Sequence, residues 1–314
     1  MTHTIAKTGE PSLTLAVTGA SGFVGHAVVD TALAEGHQVT ALTRRPQPAR
    51  DGVSWIEGTL EDTGALDRLM KGVDIVLHIA GAVNVPTREA FAAANIAGTQ
   101  AVVEAAARAG VKRFIHVSSL AARHPGLSNY GWSKAEAENV VTASALNWSI
   151  VRPPAVYGPR DSDMFELFRM ARRGVMLLPP KGRTSIIHVD DLARLLIILV
   201  MQGAASRIYE PDDGTENGLS HKQLGQAIRT AMGRTNMLSF SAPRPLLHLA
   251  AHADRLVRGP RAKLTPDRAS YMSHDDWVAD PALAPPAGLW SPVIPHAQGL
   301  ADTAIWYRTQ GWFD

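Results

Sequence analysis

The sequence predicts an α/β fold built on a doubly wound parallel sheet, and three observations support this prediction. Short apolar stretches alternate with segments of helical periodicity from residue 13 to residue 159. Several of the short stretches are apolar on both faces, which is typical of strands that helices cover on both sides. A Gly-rich turn also joins the first strand to the first helix, at a position where such sheets bind ligands.

The predicted elements alternate along this half of the chain. Strands are expected at residues 13–18, 39–43, 74–79, 114–118 and 148–152. Helices are expected at residues 27–35, 66–71, 89–109 and 133–144, and Gly36 and Gly72 end the first two. The alternation stops at Pro159, beyond which Pro, Gly and charged residues are frequent, but residues 190–201 again have the pattern of a buried helix.

The chain is therefore divided into two predicted parts. Residues 13–159 and 188–203 are expected to form the sheet domain, and residues 160–187 and 204–314 a smaller, discontinuous C-terminal lobe that binds substrate. Residues 1–12 are expected to be a flexible tail, because they lack the apolar core of a signal peptide. The longest apolar run, residues 195–201, is too short to span a membrane.

Composition excludes several kinds of site. The chain of 314 residues has no Cys, which excludes disulfides, thiolate metal sites and Cys nucleophiles and favours a cytoplasmic location. Its 31 Lys and Arg residues face 29 Asp and Glu residues, so the formal net charge of +2 gives no reason to expect nucleic acid as a partner. Of twelve His residues, only His248 and His252 form a helically spaced pair, and no metal site is expected.

The Gly-rich turn at residues 18–25 predicts a dinucleotide-binding site. Gly19, Gly22 and Gly25 give the spacing G-x-x-G-x-x-G between an apolar strand and a helix. A pyrophosphate needs backbone N–H groups at a helix N-terminus and glycines where a side chain would block its approach. The first two glycines are one residue further apart than in the usual G-x-G-x-x-G, and such a pattern alone is weak evidence. The prediction therefore depends on the position of the glycines between a strand and a helix.

The end of the second strand indicates which dinucleotide binds. A carboxylate at this point binds the ribose hydroxyls of NAD, whereas Arg accommodates the 2′-phosphate of NADP. This chain has Arg44 and Arg45 there and no acid. NADP(H) is therefore favoured as the cofactor, although the sequence leaves NAD(H) open.

A Ser, a Tyr and a Lys in a fixed order predict an acid–base site. Ser119 follows the strand at residues 114–118, and Tyr130 and Lys134 come later in the chain. If Tyr130 opens a helix, Lys134 lies one turn further on the same face. An ammonium near a phenol lowers the pKa of the phenol, which makes Tyr130 a usable general acid or base. Ser119 can hold the substrate oxygen by a hydrogen bond.

Together these motifs resemble the short-chain dehydrogenase/reductase superfamily, in its extended or atypical branch. The turn at residues 18–25 is similar to the TGxxGFxG motif of that branch, and Tyr130 and Lys134 are similar to its YxxxK pair. Further similar motifs, in the expected order, lie at residues 78–81, 95–99, 152–159 and 188–192. The resemblance implies a Rossmann fold.

The resemblance also implies roles for individual residues. It places Gly19, Ser21, Gly22, Phe23 and Val24 along the pyrophosphate, Thr59, Leu60, Ala80 and Gly81 on the adenosine side, and residues from Pro153 to Val156 at the nicotinamide. It implies that Lys134 binds the ribose, Tyr130 exchanges the proton, Ser119 is its partner and Asn95 supports the site. Thr59 stands where the family often has Asp, and the stretch from Ser119 to Tyr130 is shorter than in many members.

These observations predict an NADP(H)-dependent oxidoreductase that interconverts a carbonyl and a secondary alcohol on a small molecule. A nucleotide-sugar epimerase is the enzymatic alternative, because the same kind of site can oxidise and then reduce its substrate. A dehydratase is not expected. The sugar-nucleotide dehydratases of the family that this chain resembles have an Asp-Glu pair directly after the hydroxyl residue, whereas Leu120 and Ala121 follow Ser119 here. A non-catalytic NADP(H)-binding sensor or assembly protein is an alternative of another class.

The predicted partners are small molecules, and the oligomeric state is left open between a monomer and a homodimer. Residues 245–256 have an amphipathic pattern, and several basic residues lie at 255–268. This basic segment could bind substrate phosphates or an anionic membrane surface. A solvated basic loop is the simpler interpretation, so membrane contact is not expected.

Overall fold

A computed structural model describes residues 12–202, 204–236, 238–259, 262 and 264–313, and every structural statement below concerns these residues. The predicted flexible tail at residues 1–12 lies outside them, apart from Ser12. In the basic segment at 255–268, Arg261, Lys263 and the side chain of Arg255 also lie outside them. No helix in the described part of the chain is long and apolar enough to cross a bilayer.

The strands, in chain order, are β1 (Thr14–Thr18), β2 (Gln38–Thr43), β3 (Val53–Glu57), β4 (Ile75–His78), β5 (Arg113–Val117), β6 (Trp148–Val151), β7 (Ala155–Tyr157), β8 (Val175–Leu178), β9 (Arg183–Thr184), β10 (Ile186–His188), β11 (Arg207–Tyr209), β12 (Leu219–Ser220), β13 (Leu238–Ser241) and β14 (Asp276–Trp277).

The helices are α1 (Phe23–Ala34), α2 (Thr63–Leu69), α3 (Arg88–Phe91), α4 (Gly98–Arg108), α5 (Asn129–Thr142), α6 (Phe165–Arg172), α7 (Val189–Gln202), α8 (His221–Ala231), α9 (Arg244–Arg258), α10 (Pro266–Met272) and α11 (His296–Thr309). A π-helical segment (Ala92–Ala97) joins α3 to α4, and short 3₁₀ turns cover Leu120–Arg123 and Pro281–Leu283.

Seven strands form a parallel sheet in the order β3-β2-β1-β4-β5-β6-β11. In its register, Leu15 of β1 faces Val39 of β2 on one side and Ile75 of β4 on the other. This arrangement confirms the predicted doubly wound parallel sheet. Strand β3 is absent from the sequence-based prediction, because Ser54 and Glu57 interrupt its apolar pattern on the exposed edge of the sheet.

Helices cover both faces of the sheet, and each face buries its own apolar layer. Val17 of β1, Val28 of α1 and Leu196 of α7 lie in one layer. Ala16 of β1 and Leu66 of α2 lie in the layer on the opposite face, together with residues of α4 and α5. Successive residues of β1 thus point to opposite sides, as the pleat of a strand requires.

The C-terminal lobe has a separate apolar core between α6, α8 and α11, where Phe168, Ile228 and Tyr307 are fully buried. Three small sheets pair β10 with β7, β13 with β8, and β9 with both β12 and β14. Strand β11 follows residue 204, where the sequence predicts that the lobe resumes, but it pairs with β6 and belongs to the central sheet. The predicted boundary at 204 therefore does not follow the sheet.

Candidate active site

The Gly-rich turn between β1 and α1 keeps a path open to a helix N-terminus. Gly19 has φ +76°, and a β-carbon there would lie 2.7 Å from the backbone N of Ala80. A β-carbon on Gly25 would lie 2.0 Å from the carbonyl oxygen of Gly19. Ser21 and Gly22 are exposed, and α1 begins at once after Gly22. The turn fits a dinucleotide pyrophosphate, because backbone can approach backbone and ligand there without side chains in between.

The polar residues expected near the adenosine lie at the ends of neighbouring strands. Arg44 and Arg45 follow β2 and are exposed, and the Thr43 hydroxyl donates a hydrogen bond of 2.7 Å to the carbonyl oxygen of Arg45. Thr59 follows β3 and is exposed, while Leu60 packs against the start of α4. The carboxyl edge of the sheet therefore carries both guanidinium groups and the Thr59 hydroxyl.

The loop after β4 reaches the turn on one side and two of the side chains expected to be catalytic on the other. The backbone N of Ala80 donates a hydrogen bond of 3.3 Å to the Thr18 hydroxyl. A β-carbon on Gly81 would lie 3.1 Å from Asn95 Oδ1 and 3.7 Å from Lys134 Nζ. Gly81 thus leaves room beside both polar groups.

Asn95 fixes this loop against α5. It is buried in the π-helical segment, and its Oδ1 accepts a hydrogen bond of 2.6 Å from the backbone N of Ala82. Its Nδ2 donates to the Ala82 carbonyl oxygen at 3.0 Å and to Ser133 Oγ at 2.8 Å. The π-helical segment is the part of the helix that carries this side chain, and such segments are frequent at functional sites.

A buried imidazole supports the site from inside the sheet. His78 Nδ1 and the Thr18 hydroxyl form a hydrogen bond of 2.7 Å, and His78 Nε2 and the Thr99 hydroxyl one of 2.9 Å. Burial, followed by the charge of Lys134, lowers the pKa of His78 to about 3. The neutral ring therefore ties β1 and β4 to α4.

Tyr130 lies in the first turn of α5. Ser128 Oγ accepts a hydrogen bond of 2.9 Å from the backbone N of Gly131 and starts the helix at Asn129, earlier than the sequence predicts. Burial raises the pKa of Tyr130, and the neighbouring Ser119 hydroxyl acts in the opposite direction by hydrogen bonding. The expectation of a lowered pKa is wrong for this structure, because burial of the phenol outweighs its polar neighbours.

Lys134 lies one helical turn after Tyr130 and is almost fully buried. Its ammonium donates a hydrogen bond of 2.8 Å to the carbonyl oxygen of Val117, the last residue of β5. Burial lowers the pKa of Lys134 to about 8, although the carboxylate of Glu138 raises it. The ammonium therefore stays charged at neutral pH.

A chain of buried charges, which the sequence analysis missed, leads from this Lys into the lobe. Glu138 accepts hydrogen bonds from Ser118 Oγ at 2.5 Å and from Arg152 Nε at 2.9 Å. Arg152 also pairs with Glu210 at 3.3 Å, and Glu210 pairs with Arg123 at 3.1 Å. A Glu four residues after Lys134 on a helix is a signal that could have revealed the first step.

The segment that the resemblance assigns to the nicotinamide follows the end of β6. Pro153 is buried, and its carbonyl oxygen accepts a hydrogen bond of 3.1 Å from the backbone N of Leu120, the residue after Ser119. Val156 lies in β7 and packs against the apolar layer of α1 and α7. This bond brings the segment from Pro153 to Val156 beside the end of β5, where Ser119 stands.

The lobe adds aromatic rings and one carboxylate to the site. Tyr271 of α10 makes an edge contact with the Tyr130 ring at 6.1 Å, and Trp277 lies 4.8 Å from Tyr271. The ring of Phe91 lies 6.1 Å from Tyr130 on another side. The carboxylate of Asp267 accepts hydrogen bonds from the backbone N of Asn129 at 2.5 Å and of Tyr130 at 3.4 Å. No local sequence signal points to these residues, because each approaches from a distant part of the chain.

In the part of the chain that the structure describes, no three His, Asp or Glu side chains are placed to hold a metal ion. The assignment of no metal stays a prediction.

Comparison with known proteins agrees with this geometry. Residues 19–197 match a family model described as NAD(P)H-binding. A protein named Ceramide reductase, from Caulobacter vibrioides, is 35% identical over 311 residues, which cover 95% of this chain and 95% of that protein. The chain belongs to the extended short-chain dehydrogenase/reductase family.

Two further similarities span most of the chain. A 4-hydroxy-2-methyl-3-oxo-4-farnesyl-3,4-dihydroquinoline-1-oxide ketoreductase from Stigmatella aurantiaca is 28% identical over 264 residues, which cover 74% of this chain and 78% of that protein. The crystal structure of UDP-N-acetylglucosamine 4-epimerase from Bacillus cereus has a TM-score of 0.70 at 20% identity and covers 95% of this chain and 97% of that one. The second similarity shows the fold alone.

This extended short-chain dehydrogenase/reductase is an NAD(P)-dependent oxidoreductase that uses a nicotinamide cofactor. The Rossmann fold implied by the resemblance is confirmed. The preference between NADP and NAD, the substrate and the individual residue roles are proposals.

Proposed function

We propose that the chain reduces a ketone on a lipid of the ceramide class to a secondary alcohol, with NADPH as the reductant. The observation that carries this proposal is the apolar surrounding of Tyr130. Leu120, Leu127, Tyr271 and Trp277 form one apolar cluster with the Tyr130 ring. Such a wall suits a long apolar substrate better than a diphosphate, which needs several charged donors.

The relatives support the same class of substrate. The Ceramide reductase similarity extends over 95% of both chains, so it includes the lobe as well as the sheet domain. The name of the second relative, a ketoreductase, includes a farnesyl group, which is also a long apolar chain.

The side chains at the site have complementary roles in this reaction. Tyr130 keeps its proton at neutral pH, because burial raises its pKa, and it donates that proton to the carbonyl oxygen as charge develops there. Ser119 donates a hydrogen bond to the same oxygen. The Lys134 ammonium stabilises the phenolate that remains. A bound NADPH supplies the hydride that adds to the carbonyl carbon.

The choice of NADPH depends on Arg44 and Arg45. Both side chains are exposed directly after β2, where a 2′-phosphate on the adenosine ribose would be recognised. A guanidinium binds phosphate through paired, charge-assisted hydrogen bonds. Titration of NADPH and NADH against the fluorescence of the seven Trp residues tests this choice, and tighter NADH binding would exclude it.

The catalytic role of Tyr130 is tested by one pair of variants. Consumption of NADPH is followed with a ketone-bearing ceramide dispersed in detergent, for the wild type, Tyr130→Phe and Tyr271→Phe. Tyr271 is the matched control, because it is a neighbouring Tyr whose pKa burial also raises. We expect Tyr130→Phe to lower kcat by about 10²–10⁴, as for loss of a general acid, and Tyr271→Phe to lower it by less than about tenfold. Wild-type kcat in Tyr130→Phe would exclude the acid role.

The alternatives from the sequence predict other results in the same assay. A nucleotide-sugar epimerase would interconvert UDP-sugars without net consumption of NADPH. A sensor or assembly protein would bind the dinucleotide and turn over no ketone or sugar. Either result, with a folded wild-type protein, would replace the reductase proposal.

A further inference from the structure

Helix α9 exposes an apolar face to solvent. Leu246, Leu249, Leu256 and Val257 are 51%, 65%, 87% and 84% exposed. At 100° per residue these four side chains fall within a stripe about 100° wide on one side of the helix. The opposite side, with Leu247 buried, packs against α10. The helix is therefore amphipathic, but with part of its apolar surface turned away from the protein.

Strands β8 and β13 expose further apolar side chains, and β13 comes directly before α9 in the chain. Leu238 and Phe240 of β13 are exposed, as are Val175 and Leu177 of the paired strand β8. Only two residues separate the end of β13 from the start of α9. The apolar face comprises Val175, Leu177, Leu238, Phe240, Leu246, Leu249, Leu256 and Val257.

The concentration of these side chains in one region is unusual. They are eight of the eleven large hydrophobic side chains that are exposed among the described residues. Single exposed apolar residues are ordinary on protein surfaces, whereas exposed apolar residues grouped on one helix and on a neighbouring strand pair indicate an interaction site.

The sequence segment that contains α9 and the start of α10 is basic. Residues 244–268 contain six Lys and Arg residues and two Asp residues, a net charge of +4, so the rest of the chain carries −2. Arg244 pairs with Asp275 and Arg258 with Asp254, yet both Arg side chains remain at least half exposed. An exposed apolar stripe flanked by basic residues is the pattern of a helix that lies on an anionic lipid surface.

The apolar face is connected to the candidate active site. Helix α10, which packs on α9, contributes Asp267 at the backbone of Tyr130 and Tyr271 at its ring. Asn84, in the loop after β4, donates a hydrogen bond of 3.4 Å to the carbonyl oxygen of Ala262, just beyond α9. A lipid surface or partner that binds α9 would therefore also lie close to the edge of the candidate active site.

From these observations we propose that the C-terminal lobe docks on an anionic lipid bilayer through the apolar face. The side chains of α9 and β13 enter the interfacial region, and the flanking basic residues contact the lipid phosphates. From the sequence alone, membrane contact is not expected, because a solvated basic loop is the simpler interpretation of the segment at 255–268. Delivery of a lipid substrate from that bilayer to Tyr130 rests on the proposed function, but docking itself does not.

Vesicle flotation of the full chain tests the docking. The vesicles contain equal parts of phosphatidylglycerol and phosphatidylcholine, or phosphatidylcholine alone. We expect the wild type to bind the anionic vesicles more tightly, and high salt to weaken that binding. Leu249→Gln/Leu256→Gln should weaken binding at least tenfold, because both side chains lose their insertion into the interface. Arg244→Gln/Arg258→Gln should weaken it about tenfold at low salt.

A matched control uses equally exposed apolar residues elsewhere. Val293 and Ile305 are 62% and 54% exposed and lie outside the apolar face. We expect Val293→Gln/Ile305→Gln to bind vesicles as the wild type does. The proposal would be overturned if the wild type did not bind the vesicles. It would also be overturned if the wild type, Leu249→Gln/Leu256→Gln and Val293→Gln/Ile305→Gln all bound them equally. A wild-type dimer that Leu249→Gln/Leu256→Gln converts to a monomer, without vesicle binding, would identify the face as a contact between two copies and would also overturn it.

The docking proposal and the proposed function can fail separately. Vesicle binding without reduction of any ceramide ketone leaves the docking intact and excludes the substrate. If both hold, Leu249→Gln/Leu256→Gln should slow reduction of a ketone embedded in vesicles at least tenfold. The same variant should reduce the ketone dispersed in detergent at the wild-type rate, because no residue of the apolar face contacts Tyr130.

Discussion

The sheet domain and the C-terminal lobe contribute to the site in different ways. The sheet domain fixes polar groups with short hydrogen bonds, as at Thr18, Asn95 and Lys134. The lobe supplies mainly the rings of Tyr271 and Trp277, which make contact without directed hydrogen bonds to the reacting groups. One part therefore fixes the geometry of the polar groups, and the other mainly supplies an apolar environment.

The two parts are joined through buried charge. Arg152, at the end of β6, lies between Glu138 of the sheet domain and Glu210 after β11. Glu210 also accepts hydrogen bonds from Arg123 at 3.1 Å and from the backbone N of Asp280, in the lobe, at 2.9 Å. If the two parts contribute in these different ways, substitutions among the buried charges that link them should have the largest effect on stability.

Glu210→Gln is the variant with the largest expected effect. Its carboxylate is fully buried and pairs with two Arg side chains, so neutralising it leaves Arg123 without this carboxylate and Arg152 with Glu138 alone. Breaking a buried ion pair from one side costs about 3–5 kcal/mol, and we expect chemical denaturation to show a loss of that size. Asp275→Asn is the control, because Asp275 pairs with Arg244 at 2.8 Å but is 69% exposed. The loss of unfolding free energy in Asp275→Asn should stay below about 1 kcal/mol. Equal losses in both variants would contradict a special role for the buried charges between the two parts.

The same contrast explains how much could be predicted from the sequence. The glycines of the first turn, Ser119, Tyr130 and Lys134 each belong to one short segment whose spacing reflects local geometry. The parallel sheet follows equally from local apolar patterns. These features can be inferred from a single chain because strand, turn and helix are decided by neighbouring residues.

The residues that sequence reasoning missed lie where distant segments meet. Glu210 bonds to Arg152, 58 positions away, and Asp267 to Tyr130, 137 positions away. Nothing in the surrounding sequence separates either acid from an ordinary surface carboxylate. The pKa of Tyr130 was misjudged for a related reason, because the packing that buries the phenol comes from Phe91 and Tyr271 as well as from its own helix.

Gly25→Ala tests the geometry of the Gly-rich turn in the sheet domain. Its expected effect on stability is smaller than that of Glu210→Gln. A β-carbon at this position would lie 2.0 Å from the Gly19 carbonyl oxygen and 2.7 Å from Ala20 Cα, so the backbone of the turn must move. We expect a loss of about 1–3 kcal/mol in unfolding free energy, with dinucleotide binding weakened more than tenfold. Gly288→Ala in the lobe is the control, because a β-carbon there meets open space. Unchanged dinucleotide affinity in Gly25→Ala would show that the turn does not need this close approach.

Asp267→Asn measures what the lobe adds to the geometry of Tyr130. The variant removes the negative charge that accepts two backbone N–H groups at the start of α5. The cap and the helix dipole together make this charge worth about 1 kcal/mol, so kcat/KM should fall about fivefold while dinucleotide affinity is retained. Asp302→Asn, at an exposed lobe carboxylate on α11, should change neither quantity. A parallel loss of dinucleotide affinity in Asp267→Asn would mean that the lobe also shapes the cofactor half.

The smallest expected effect is the response of the wild type to a rise from neutral pH to pH 8, which is about a twofold decrease in kcat. The pKa of Lys134 is lowered to about 8, so its ammonium loses its proton as the pH rises through that value, while the raised pKa of Tyr130 keeps the phenol protonated. If the charge of Lys134 stabilises the phenolate, kcat for reduction should be constant at lower pH, about half at pH 8 and about a tenth at pH 9. Lys134→Arg keeps its charge over this range, so its kcat, lower throughout, should lose this alkaline decrease. Identical pH profiles of kcat for the wild type and Lys134→Arg would show that another group controls the alkaline decrease. The polar groups of the sheet domain would then only position Tyr130.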